Sequence, residues 1–303
     1  MLAMRPAQPV PAAALLAAAL LAPAAALAHT ATPTARGWAG PEPWMLLPML
    51  SAAGVYALGY VRLRRRSEHG RTELAQRAQR FALGLTVLAC ATLSPLHALG
   101  ARSFTAHMAE HELIMLAAAP LLVWSRPLGV MLWAFPAGVR QGLAAVGRSP
   151  GGSGTWRTLT DPWLATALQS AALWIWHLPS LFDRALRGEG WHGAQHLAFF
   201  VTALLFWSAM LGPRRNVWVS AACLFATSMA TGALGAFMAL SESPWYQPYA
   251  ALGLAAFGLS PAEDQQLAGV LMWVPGGLFH ALVAIALLAP QLRNTPVREA
   301  PDA

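Results

Sequence analysis

Apolar runs of about 20 residues, separated by short polar connections, recur along most of the chain. They place spans near 44–62, 81–100, 107–124, 163–182, 192–212, 218–238 and 264–290. Each run has roughly the length that a hydrocarbon core requires of a helix. Gly and Pro interrupt several of them, as membrane helices tolerate. The pattern predicts an all-α transmembrane bundle of about seven spans over 44–290, with neighbours packed antiparallel because the connections are short. Ahead of it, residues 1–28 read as a secretory signal or a marginal extra span. Arg5 precedes an Ala/Leu run, and Ala26-Leu27-Ala28 is a small-x-small cleavage site. Residues 29–43 form a polar leader rich in Pro, Gly and Thr, and 291–303 a tail.

Composition agrees with this reading. Of the 303 residues, 56% are hydrophobic and 11% charged, with a mean hydropathy of +0.46. Soluble domains carry about a quarter charged residues. The 13 Trp fit a protein with many bilayer boundaries. Every basic residue is Arg, and the net charge is +7. Fifteen of the 20 Arg fall in alternate connections and the tail, including Arg62, Arg64, Arg65 and Arg66 in one run. That asymmetry predicts an outside N-terminus and a cytoplasmic C-terminus in a bacterial inner membrane. It also accounts for the charge without a nucleic-acid partner; the expected partner surface is the lipid bilayer. Cys90 and Cys223, both mid-span and without a CxxC, read as small buried hydrophobes.

The histidines carry the candidate chemistry. His97, His107, His111, His177, His192 and His196, six of the nine, fall at the ends of spans that share one membrane face. His107 and His111 are spaced i,i+4 at the start of one span, and His192 and His196 repeat the spacing at the start of another. Such spacing aims two imidazoles from one helix face, and imidazole is the commonest metal-binding side chain. Met108 or Met115 would add a soft thioether, which points to copper, and Glu110 and Glu112 can orient imidazoles. Taken singly, His97 and His280 read as interfacial or core hydrogen bonders, and Met115 as packing. His29 is a further ligand candidate if the signal is cleaved before it. His111-Glu112-Leu113-Ile114-Met115 lacks the second His of a zinc-protease motif. Glu263 and Asp264 open the last span, either as caps or as site residues. Pro275-Gly276-Gly277 is expected to bend that span.

SPLHAL at 94–99, AHMAEH at 106–111, APLLV at 119–123, WHLPSLFDRAL at 176–186, WHGAQHLAFFVTALLFW at 191–207 and DQQLAGVLMWVPGGL at 264–278 occur in that order. Together they resemble the CtaG-like assembly factors of caa3-type cytochrome c oxidase, polytopic membrane proteins. The resemblance covers roughly residues 45–290. It implies a non-enzymatic role in forming active haem-copper oxidase through copper handling, with oxidase subunits as partners. The positions it matches are His107, His111, His177, His192 and His196, with Asp264 and Gln266.

The expected function is a metallochaperone. Copper would be held by His107, His111, His177, His192 and His196 at the periplasmic face and passed to the oxidase. Two other classes stay open from sequence: a membrane haem-binding oxidoreductase with axial His ligands, and a metal-free assembly scaffold.

Overall fold

The computed structural model of the protein describes residues 43–213, 216–254 and 257–293. The signal-like segment, His29 with nearly all of the leader, Arg214, Arg215 and the tail beyond 293 lie outside them. The described residues are helices and their connections, with no strand among them. In chain order the main helices are α1 (Pro43–Arg66), α2 (Arg71–Leu93), α3 (Pro95–Gly100) and α4 (Phe104–Ser125). Next come α5 (Ala137–Arg148), α6 (Pro150–Leu159), α7 (Pro162–Trp176) and α8 (Pro179–Arg187). The last three are α9 (Glu189–Leu211), α10 (Val217–Ala239) and α11 (Pro261–Arg293). The molecule is an all-α, multi-pass helical membrane protein.

Among the described residues, five stretches are long and apolar enough to cross a membrane: Met45–Arg66, Phe104–Ser125, Glu189–Leu211, Val217–Ala239 and Pro261–Gln291. The two other expected spans fall on α2 with α3 and on α7 with α8. The physical reasons are visible in the sequence. α2 opens with Arg71, Glu73, Arg77 and Arg80, then breaks at Ser94, whose side chain caps α3 ahead of Pro95. α7 is 15 residues long and ends at His177, because Pro179 restarts the chain as α8.

Basic residues gather at one end of the bundle. Arg62 donates to the Ala134 carbonyl, Arg66 and Arg140 both lie over Trp133, and Arg80 lies over Trp124. Trp124, Trp163, Trp191 and Trp218 are exposed at helix ends, where an amphipathic ring suits a bilayer boundary. Cys223 is buried as expected, but Cys90 is exposed on α2. Position 90 lies on the outward face of α2, which the apolar run alone does not distinguish from the inward one.

α10 and α11 pack along much of their length. A Cβ at Gly235 would sit 2.7 Å from the Gly269 carbonyl oxygen and 2.9 Å from the Trp273 amide nitrogen. Only hydrogen at both positions allows that approach, the usual solution where lipid offers no hydrophobic drive. α11 runs through Pro275 and Pro290 as a single helix.

Inside α4, residues Leu113–Ala118 are wound as a π-helix. Such widened turns occur mostly at functional sites. The Trp207 indole N–H donates to the Met115 carbonyl at 2.8 Å within this segment, so α9 supplies a donor where α4 departs from regular winding.

Candidate metal centre

The N-terminal half of α4 is anchored from outside itself. Ser103 is its N-cap, accepting from the Ala106 amide. Its hydroxyl donates to Asp264 Oδ1 at 2.9 Å. The other Asp264 oxygen accepts from the Phe104 amide at 2.6 Å, and Thr105 Oγ1 donates to the Asp264 carbonyl at 2.8 Å. Asp264 is therefore a cap, but of α4 and not of its own helix. A carboxylate at unsatisfied helix N–H groups is favourable on both hydrogen-bonding and dipole grounds. Glu263 caps α11 locally through Ser260. Gln265 accepts from the Trp245 amide and donates to the Ser243 carbonyl, and Gln266 donates to the Ser241 carbonyl. The three-residue DQQ thus fastens α4 and the 241–245 connection to α11.

So held, α4 presents His107, Glu110 and His111 on one face, at i, i+3 and i+4. His192 and His196 come from the first two turns of α9, and His97 from α3. Ring centroids lie 4.4 Å apart for His107–His111 and for His192–His196. Between helices they are 5.2 Å for His107–His192, 5.1 Å for His111–His196 and 5.2 Å for His97–His192. Five imidazoles and one carboxylate form a single group.

Among the described residues, two subsets have the geometry of a metal site: His107, His192 and His196, and His97, Glu110 and His196. Within each, one ligand atom per residue lies within 4.8 Å of the others. His196 belongs to both. His97 Nδ1 is 2.8 Å from Glu110 Oε1, and His196 Nδ1 is 3.6 Å from the same oxygen. Glu110 is fully buried, and the His97 side chain is 22% exposed, so His97 stands at the solvent side of the group. Tyr249 donates to the Gly100 carbonyl at 2.5 Å and lies 3.3 Å from His107 Nδ1. The Gln195 side chain lies beside His107.

Both nitrogens of His111, His196 Nε2 and Glu110 Oε2 are buried without a hydrogen-bond partner. Buried polar atoms are nearly always satisfied. A concentration of exceptions among lone-pair donors is the pattern that a bound cation would complete. Imidazole nitrogen with one carboxylate suits copper or zinc.

His177 is placed differently from the other four sequence candidates. Its Nδ1 lies 2.7 Å from the Leu173 carbonyl and its Nε2 3.4 Å from Met108 Sδ. Its ring packs on Phe182 and Phe199. Met108 thus faces His177, and Met115 Sδ accepts from Gln169 Nε2 at 3.2 Å. Glu110, expected behind the ligands, lies among them and against His97, whereas Glu112 faces Gly276 of α11. His97, expected as an interfacial hydrogen bonder because no second His shares its helix face, is instead part of the group; its depth, level with the two i,i+4 pairs, already pointed there.

Residues 54–294 match the cytochrome c oxidase caa3 assembly factor family. The chain belongs to that family. Similar curated proteins include an uncharacterized protein of Mycobacterium bovis and one of Mycobacterium tuberculosis. Each is 28% identical over 272 residues, covering 83% of this chain and 40% of the relative. One of Mycobacterium leprae is 26% identical over 255 residues, 79% of this chain and 37% of its own. The chain therefore spans about two fifths of the length of these relatives. No solved structure matches it significantly.

Proposed function

We propose that this protein is a copper carrier for assembly of a caa3-type cytochrome c oxidase. It would hold the ion at the outer histidine group and release it to an oxidase subunit. The observation that carries this reading is the convergence of His97, His107, His111, His192 and His196 around Glu110, with buried lone pairs left unpartnered. Family membership supports the assembly role. The asymmetric Arg distribution supports a periplasmic position for the group in a bacterial inner membrane, with the C-terminus cytoplasmic.

The chemistry suits a carrier more than a catalyst. Alternative ligand subsets share His196, so an ion can change partners without leaving the group. His97, partly exposed, gives an incoming acceptor a first point of exchange. Imidazole binds metal only when neutral, so acidification is expected to release the ion. A haem reading fits less well, because the imidazole rings pack against one another and leave no slot for a macrocycle between them. His177, joined to Met108 and the Leu173 carbonyl, would act in this reading as a support behind the metal ligands.

Copper per purified protein tests the proposal. His192→Ala/His196→Ala and His107→Ala/His111→Ala are each expected to lower it sharply, and wild-type stoichiometry in both would remove the site. A metal-free scaffold predicts something different in cells: oxidase activity would then fall only as far as the variant's own level in the membrane falls.

A further inference from the structure

A second polar pocket lies deeper in the bundle, between α4, α7, α9, α10 and α11. Its lining includes Glu112, Met115, Gln169, Thr227, Thr231 and His280, and it has room for about one water molecule. Gln169 and Thr227 are buried at 4% and 1% exposure. Gln169 Oε1, Thr227 Oγ1 and Glu112 Oε2 have no hydrogen-bond partner. His280 Nδ1 lies 2.8 Å from the Gly276 carbonyl. Since a carbonyl only accepts, Nδ1 carries the proton and Nε2 keeps its lone pair. Gln169 spends its amide N–H on Met115 Sδ at 3.2 Å, which leaves its oxygen free. The Thr227 hydroxyl and the second amide N–H of Gln169 are donors here; the acceptors are the Glu112 carboxyl, the remaining lone pair of Met115 Sδ, His280 Nε2 and Gln169 Oε1.

Polar side chains within a span are costly and generally serve a site. We propose that this pocket binds one soft monovalent cation, Cu(I), through Glu112, Met115 and His280, with Gln169 completing the set. The thioether and imidazole select a soft ion over Na⁺ or Mg²⁺. Charge selects a monovalent one. Glu112 is the sole acidic residue of the lining and no Arg accompanies it, so a monovalent ion that displaces the carboxyl proton leaves the pocket neutral. A divalent ion would leave a net charge inside the span. The nearby outer group is a separate set of residues, and this site does not require a metal there.

Silver(I), a stable surrogate for Cu(I), is the probe. The full chain carrying His192→Ala/His196→Ala is purified in detergent, loaded with silver(I), desalted and analysed for silver per protein. Adding Met115→Leu, which conserves volume, is expected to remove one silver ion per chain, and so is adding Glu112→Gln. The sulfur contribution to the silver X-ray absorption spectrum should weaken in the Met115→Leu protein. The same single-ion loss is expected when Met115→Leu is made in the otherwise wild-type chain, so the result does not depend on the outer-site variant folding. Unchanged silver in both Met115→Leu and Glu112→Gln overturns the proposal and leaves a bound water as the occupant.

Discussion

Asp264 shows how much of the site's geometry depends on one side chain. It satisfies Ser103, the Phe104 amide and the Thr105 amide at the start of α4. Removing a cap costs about 1 kcal/mol, and hydrogen bonds to a charged group are worth about 1.5–3 kcal/mol. Asp264→Ala is therefore expected to destabilise the protein by roughly 2 kcal/mol or more, seen as a lower melting temperature in detergent. Because it also frees the end of α4, copper stoichiometry should fall although Asp264 touches no metal ligand. Tyr249→Phe removes the donor to the Gly100 carbonyl between α3 and α4. A loss of about 1 kcal/mol is expected from the melting temperature. The DQQ triplet was visible in the sequence as a cluster near a helix start. That it caps a helix some 160 residues away was not, because capping in trans leaves no local spacing to detect.

Among the helices, the π-wound turn of α4 and the glycine contact of α10 with α11 impose the tightest constraints. Deleting Ala117 should restore regular winding. It would rotate the upstream turns by about 100° relative to the rest of α4, carrying His107 and His111 away from His192 and His196. Copper binding is expected to be lost while the protein still reaches the membrane, which metal analysis and an immunoblot of membranes would separate. Gly235→Leu should prevent α10 and α11 from closing, since the added atoms meet backbone that cannot give way. The expected readout is loss of a monodisperse species on size exclusion. Helix existence was legible from apolar run length, and so was the stop at Pro179 that ends α7. The winding defect was not, since Leu113–Ala118 reads as ordinary apolar sequence.

For the molecule entire, the charged and histidine-bearing ends are opposite. Arg62, Arg66, Arg80 and Arg140 meet at one end through Ala134, Trp133 and Trp124, and the imidazoles meet at the other. In a Cys90→Ala background, Glu189→Cys should react with a membrane-impermeant thiol reagent in intact cells, and Arg64→Cys only after permeabilisation. The reverse labelling would invert the orientation and put the histidine group in the cytoplasm. Class, approximate span positions, charge asymmetry and the two i,i+4 histidine pairs all follow from one-dimensional patterns, because bilayer thickness and helical periodicity act on residues close together in the chain. Which helices are neighbours obeys no such local rule. Packing alone brought α3 and its His97 to the pairs on α4 and α9, turned His177 toward Met108 instead, and enclosed Glu112 with Met115 and His280, since side chains from distant segments converge only when whole helices are docked against one another.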